Sequence, residues 1–350
     1  MDARIAQLVT NVDTRLACRG PESDVVFSSR VRLARNLAGY PFVDRLSVFD
    51  REKIISSFTE ASAKLLEPDS YLLLGASELQ QADLLCLLER QLISREFLDG
   101  EAERAVLVER TENFSIMVIE EDHLRMQALA PGFDLEIPWR RVNDLDNRYE
   151  EFLPYAFDEK HGYLTACPSN VGTGARMSVM LHLPALILTN ESERAFRAIQ
   201  TMNLELRGLY GEGSKPLGDF YQVSNQATLG LAEEEILHHL MTVIPKIVEY
   251  ERKARERLIE KEQQQTLDRI YRGIGILKSA RKIRTEEAMT HLSFLRMGAH
   301  LGLQDEVPAQ KIDELFLRIQ PAHLELAAGR PLDDDEALVR RAEYLRRELA

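Results

Sequence analysis

The chain has 350 residues, 45% hydrophobic and 29% charged, with a formal net charge of −13, enough for one large domain or two ordinary ones. No run approaches the ~20 apolar residues of a membrane span, residues 1–20 lack the apolar core of a secretion signal, and three scattered cysteines (Cys18, Cys86, Cys167) exclude a disulfide framework or zinc cluster and make a reducing cytoplasm the expected compartment. An acidic chain repels nucleic acid and anionic membrane unless a local basic cluster overrides the global field.

The first chemistry-bearing element is residues 28–35, SSRVRLAR. Read as a strand, it projects Arg30 and Arg32 from one face, and two adjacent guanidinium groups repel unless an anion sits between them. A helix is predicted over 50–66, with Ile54, Ile55, Phe58, Ala61 and Leu65 on one side. Two β-rich runs, Ala105–Glu109 and 114–119, flank a polar loop and predict a hairpin. Glu120-Glu121-Asp122-His123-Leu124-Arg125 follows directly. Three consecutive carboxylates at a buried strand end are costly unless cations or proton transfer compensate. Residues 124–129 read as the next strand, and Trp139 as a packing anchor.

Further strands are expected at 162–165 and 219–223, with a helix over 192–206. Between them, CPSNVGTGAR (167–176) is a glycine-rich turn that lets the backbone approach a ligand closely. It is not a phosphate loop of the G-x-x-x-x-G-K-[ST] type, which occurs nowhere in the chain. RGLYGEG (207–213) reads as a flexible loop with one Arg and one Glu. From Glu233, residues Ile236, Leu237, Leu240, Ile244, Ile247 and Val248 mark a helical stripe expected to kink at Pro245. Its charged continuation over 251–265 should have a solvated outer face, and His238-His239 belong to the helix surface. Three or more shorter helices are expected up to Ala350, around 284–302, 308–319 and 335–349. The fold class is α+β: an antiparallel β-sheet flanked by helices over 1–255, followed by a small all-helical C-terminal domain over 256–350.

Together SSRVRLAR, EEDHLR, CPSNVGTGAR and RGLYGEG, in this order over roughly residues 22–255, resemble the phosphagen (guanidino) kinase family. GYLTACPSNVGTG, SVMLHLPAL, RGLYGEGS and SNQATLG are similar to its bacterial protein-arginine kinase branch, and the similarity continues into the helical tail. The resemblance implies ATP as phosphoryl donor with Mg²⁺, and five arginines on its phosphates: Arg30, Arg32, Arg125, Arg176 and Arg207. Ser28, Ser29 and Val31 of the same segment, with Met180, complete the implied nucleotide site. Glu121 matches the base and Glu212 an orienting partner that can share its role. Cys167 matches the family's reactive cysteine, which as a thiolate would help align the cationic acceptor.

The chemistry asks for such a set. Phosphoryl transfer needs positioning and charge neutralisation, which a planar, permanently charged guanidinium supplies. The acceptor, with a pKa above ~12, is no nucleophile until a base removes a proton. Kinases of small guanidino compounds carry a helical domain ahead of the SSRVR segment, whereas fewer than thirty residues precede Arg30 here. The expectation is therefore an open site for arginine on another protein. A free-arginine phosphagen kinase and a non-catalytic adaptor that kept the fold are the alternatives.

Implied partners are protein substrates with exposed arginine, a small activator, a protease unfoldase and a second copy of the chain, with no nucleic acid or membrane. The implied role is tagging proteins for degradation or inactivating a basic DNA-binding repressor. Gln91 stands where the branch often has a His near the nucleotide. At the C-terminus its R-D-x-x-R-A phosphoarginine motif is reduced to Ala337-Leu338-Val339-Arg340-Arg341-Ala342. Lacking the leading Arg and Asp, that pocket is expected to be degenerate.

Overall fold

In this computed structural model residues 2–10, 20–208 and 217–350 are described. Period-two alternation in the first two-thirds of the chain builds an eight-stranded antiparallel sheet. Its strands are β1 (Val26–Arg35), β2 (Tyr71–Gly75), β3 (Ala105–Glu109), β4 (Phe114–Val118), β5 (Leu124–Pro131), β8 (Ala175–His182), β9 (Leu204–Gly208) and β10 (Phe220–Asn225), in the order β2-β3-β4-β5-β1-β8-β10-β9. A separate ribbon pairs β6 (Phe157–Asp158) with β7 (Gly162–Tyr163). β1 is central, and its register sets Arg32 opposite Gln127 of β5 on one side and Arg176 of β8 on the other.

Successive side chains of a strand face opposite ways. On one face Val31, Leu33, Ile116, Met126, Met177, Val179 and Val223 are buried. They pack beneath α2 (Val48–Leu65), α5 (Glu136–Glu150) and the first half of α8 (Glu233–Ser279). Phe58 of α2 stacks on Tyr149 of α5, 5.3 Å between ring centres. Trp139 is half-buried against this core.

Among the described residues, helices cover the opposite face only at its two ends. Leu72, Leu74, Val106, Val108 and Met117 lie under α3 (Gln81–Glu89), α1 (Ala3–Thr10) and Ala322 of α11 (Pro321–Ala328). At the other end Met180 and Phe220 join the core of the C-terminal helices: the second half of α8, α9 (Thr285–His300), α10 (Ala309–Arg318) and α12 (Asp334–Glu348). Between these two apolar patches the sheet presents its arginines. Among the described residues no helix is long and apolar enough to cross a membrane.

Three local expectations are corrected. The helix predicted over 192–206 is α7 (Ser192–Thr201), which ends where Asn203 adopts a left-handed conformation (φ 55°) and turns the chain into edge strand β9. Arg207 therefore sits on a strand rather than in a loop. Helix α8 passes through Pro245, held by Val243, Ile244, Ile247 and Val248 in the core, and its non-helical dihedrals fall instead at Glu262 (φ −133°, ψ 34°). The run 251–265 has the solvated outer face expected of it, while on its inner face Glu251 and Arg255 are buried as an ion pair (2.8 Å) and Glu251 accepts from Ala185 and Leu186 N–H.

Candidate active site

Five arginines occupy one face of neighbouring strands: Arg125 on β5, Arg30 and Arg32 on β1, Arg176 on β8 and Arg207 on β9. Strands lie about 4.8 Å apart, so Arg32 and Arg176, directly opposite each other, repel. Neighbours relieve part of this. Arg176 and Arg207 share Glu205, with Arg207 Nε donating to it at 2.7 Å, and Arg176 also donates to Ser224 Oγ at 3.1 Å. Arg125 pairs with Glu120 and with Glu121 (3.2 Å).

Among the described residues the Arg30 guanidinium finds only the neutral Gln222 Oε1, at 2.8 Å. Arg32 has no hydrogen bond or ion pair with any described residue, and its Nε, like that of Arg176, is buried without a partner. The electrostatics follow this ranking. Desolvation, then the neighbouring arginines, lowers the Arg30 pKa to about 10 and holds that of Arg32 well below its ordinary value. For Arg125, Glu120 and Glu121 outweigh the same desolvation and the net shift is upward. An unmet, desolvated cation asks for an anion.

The tight turn from β4 to β5 delivers the carboxylates. Ile119 is held at φ 61°, an unusual conformation for a β-branched residue, by its N–H on His123 O (2.9 Å). Glu120 is wholly engaged: Ser94 Oγ and Arg125 donate to one oxygen, and the Glu121 N–H to the other at 2.6 Å. Glu121 is left facing the cleft. Burial, reinforced by Glu120 and Asp122 and opposed by Arg125, raises its pKa.

The third wall is the Cys167 segment. Pro168–Asn170 forms a single 3₁₀ turn, and Cys167 Sγ, half-buried, lies 3.0 Å from Ser169 Oγ. Gly172 and Gly174 have positive φ (110° and 64°), and a Cβ there would meet Thr228 O at 2.4 Å and Ala34 O at 2.6 Å. Glycine is therefore required to close the segment against β1. Arg35 fixes it from the other face, donating to Thr173 O (2.8 Å) while paired with Asp146 (2.6 Å). The resulting cleft is lined by Arg32, Ala34, Glu96, Glu121, Arg125, Cys167, Ser169, Asn170, Gly174, Arg176 and Arg207.

Of the residues expected at the site, Arg30, Arg32, Arg125, Arg176, Arg207, Glu121 and Cys167 are thus gathered at one cleft or its rim. Three others point elsewhere. Val31 belongs to the apolar core, Ser29 Oγ donates to Gly132 O (2.8 Å) on that same face, and Met180 is packed with Phe220 against the C-terminal helices. Ser28 faces as Arg30 does, opposite Met180. Gln91, at φ 59°, accepts through its carbonyl from Gln127 Nε2 (2.8 Å). Glu212 lies outside the described residues. Glu96 and Glu205 went unforeseen. For Glu205 the signal was the alternation Leu204-Glu205-Leu206-Arg207, which sets it on the same face as Arg207 once the segment is read as a strand.

Comparison with known proteins agrees with this geometry. The family model "ATP:guanido phosphotransferase, C-terminal catalytic domain" matches residues 51–254, and "Protein-arginine kinase McsB C-terminal domain" matches residues 263–350. The protein-arginine kinase of Pelotomaculum thermopropionicum is 43% identical over 95% of this chain and 94% of its own length. That of Symbiobacterium thermophilum is 42% identical over 98% and 99%. The duplicated taurocyamine kinase of Schistosoma mansoni superimposes with a TM-score of 0.62 at 26% identity, over 67% of this chain and 34% of that one. The chain belongs to the ATP:guanido phosphotransferase family, in its protein-arginine kinase branch.

Proposed function

We propose that the cleft transfers the γ-phosphoryl group of ATP to a guanidino nitrogen of arginine residues in protein substrates. The observation that carries this reading is the meeting of opposites in one space: Arg32, with no hydrogen-bonded or ion-paired anion among the described residues, and Glu121 facing the same cleft. The triphosphate supplies the anion. Arg30, Arg32, Arg125, Arg176 and Arg207 offer it planar forks of donors, and their charge counters what develops on the transferred group. Mg²⁺, when bound with the nucleotide, neutralises phosphate oxygens. Glu96 and Glu121, both on the cleft wall, would hold its hydration shell.

The acceptor arrives as a guanidinium. Glu121 takes one of its protons as the nitrogen attacks the γ-phosphorus. The N–P bond forms, the bond to the bridging oxygen of the β-phosphate breaks, and ADP leaves. The raised pKa of Glu121 strengthens it as a proton acceptor in its ionised form. Cys167, on the same wall, aligns the guanidinium, with Glu212 as the second acidic partner in this scheme.

Incubation with Mg-ATP and an unfolded protein should add acid-labile phosphoryl groups to that protein, read by intact mass. Glu121→Gln should slow this by ~10²–10⁴-fold. Efficient phosphorylation of free arginine with proteins left unmodified would overturn the reading.

In the same reading the chain divides near residue 255, and the helical domain docks substrates and partners: a small activator, a protease unfoldase or a second copy, in the cytoplasm. Arg341, buried there, donates from Nε to Ile319 O (2.9 Å) and from Nη1 to Ile283 O (3.1 Å). Its guanidinium is committed to main-chain carbonyls, and Ala337 and Leu338 bring no charge. Phosphoarginine should therefore give no measurable heat in titration calorimetry. Tight binding abolished by Arg341→Met would contradict this.

A further inference from the structure

Asn36 follows the last residue of β1 and is 2% exposed. Its side chain joins three segments of chain. Oδ1 accepts from the His123 N–H (2.9 Å), while Nδ2 donates to Asp122 Oδ1 (2.6 Å) and to Leu164 O (3.0 Å). The orientation of the amide is fixed, because a backbone N–H only donates and a carbonyl only accepts. The same Asp122 Oδ1 accepts from the Ala166 N–H at 2.7 Å. Asp122 precedes His123 and follows Glu121, and Ala166 precedes Cys167. The Asn36–Asp122 pair therefore ties the turn that presents Glu121 to the segment that presents Cys167.

His123 locks the outer side of this junction. Its Nδ1 accepts from the Leu37 N–H (2.9 Å), which leaves Nε2 to donate to Pro41 O (2.9 Å). Asp122 is 1% exposed and its Oδ2 has no partner among the described residues. A carboxylate is held here for what Oδ1 does, although its second oxygen is left unmet.

We propose that Asn36 and Asp122 are positioning residues that fix the separation between Glu121 and Cys167, so that an incoming guanidinium meets both in its own plane. The inference rests on the assignment of Glu121 as the base. Neither residue reaches the arginine cluster through any of these bonds, so nucleotide binding should be insensitive to both. A shift of ~1 Å in a group aligned for reaction costs on the order of 10²-fold in rate.

The test uses the full chain with four substitutions: Asn36→Ala, Asp122→Ala, Asp122→Asn and Glu121→Gln. Nucleotide affinity, kcat and KM for an unfolded protein substrate, the rate of Cys167 alkylation by iodoacetamide and the melting temperature are measured for each. Asn36→Ala and Asp122→Ala should each lower kcat by ~30–100-fold, change Cys167 alkylation, and leave ATP affinity within about threefold. Asp122→Asn keeps the Oδ1 acceptor and should recover most of the loss seen with Asp122→Ala.

Full kcat in Asn36→Ala, or Asp122→Asn as impaired as Asp122→Ala, would overturn the proposal, the latter by showing that charge rather than the tether is needed. If Asn36→Ala does not fold, the two Asp122 variants decide alone. An active Glu121→Gln enzyme overturns the base assignment itself. An inactive one beside a fully active Asn36→Ala overturns the clamp and leaves the base standing.

Discussion

Arg32 and Arg296 lie in the same chain with opposite surroundings. Arg296, fully buried between the sheet and the C-terminal helices, donates to Asp313 (2.8 Å), to the carbonyls of Ser23 (2.6 Å) and Asp24 (3.0 Å), and to His182 Nδ1 (3.1 Å). Arg35, on the apolar face of the sheet, is similarly provided for by Asp146, Ala34 O and Thr173 O. Arg32 faces Arg176 across the strand pair and finds no described partner. A buried arginine with its acceptors supplied holds the fold together, whereas one left unmet among like charges is there for something that arrives later. Residue type does not separate the two uses. The acceptors around each guanidinium do.

The sharpest way to break this comparison is to remove one arginine from each region. Arg32→Met should lower kcat/KM by at least ~10³-fold, the scale of an arginine acting on a transferred phosphoryl group. It should also melt at or above the wild-type temperature, because a like-charge repulsion and an unmet donor disappear. Arg296→Met should behave in the opposite sense. It strands Asp313, 1% exposed, without its cation and should destabilise by ~3–5 kcal/mol, with activity falling only as the folded fraction falls. Thermal melts and initial rates on both variants decide it. Equal destabilisation by the two would erase the distinction.

Glu121 sharpens the same contrast on the acidic side. Its pKa is raised by burial, with Arg125 opposing, so the folded state favours the protonated form. Its contribution to stability is present at low pH and is lost as pH rises through the folded pKa. At neutral pH the ionised carboxylate is therefore kept for chemistry at some expense of stability. The acid limb of kcat/KM should fall above the ordinary glutamate value of ~4.3, and Glu121→Gln should remove that limb while melting no lower than wild type. A limb that survives in the variant belongs to another group.

Much of this was legible in the sequence, for reasons that particular residues make plain. Strands β1, β3, β4 and β5 announce themselves by alternation or β-rich runs, and the arginines fall on one face because Arg30 and Arg32 are two apart. Edge strand β9 was hidden, since Leu204-Glu205-Leu206-Arg207 contains no β-branched residue and follows a helix without a Gly or Pro; the turn is made by Asn203 alone. A motif read as a contiguous string also misplaces alternate members, so Ser29 and Val31 turned out to face the opposite core. Met180 faces the right way but stands four residues from Arg176, about 13 Å along the strand, and meets the C-terminal helices instead. Which arginine is left unmet depends on the cross-strand register of β1 with β8, and no local pattern encodes that.

The comparison between regions extends, with a smaller effect, to two histidines. His123, at the turn beside Glu121, has its pKa lowered to about 4, chiefly by burial. His182, against Arg296 between the sheet and the C-terminal helices, is lowered by burial and then by that cation. Both folded pKa values lie below the unfolded value of ~6.5, so the native state binds fewer protons than the unfolded chain in the acid range. Their contribution is fully present above ~6.5 and is lost as pH falls toward the folded values, at no more than ~1.4 kcal/mol per pH unit for each. His123→Asn keeps an acceptor for the Leu37 N–H and titrates nothing. It should flatten the acid slope of the unfolding free energy between pH 7 and pH 5, measured by urea denaturation, without abolishing it, because His182 remains. Parallel slopes in variant and wild type would mean that His123 is not held neutral by its two backbone partners, and would place the acid sensitivity in the other histidines held below their ordinary value, His182, His291, His300 and His323.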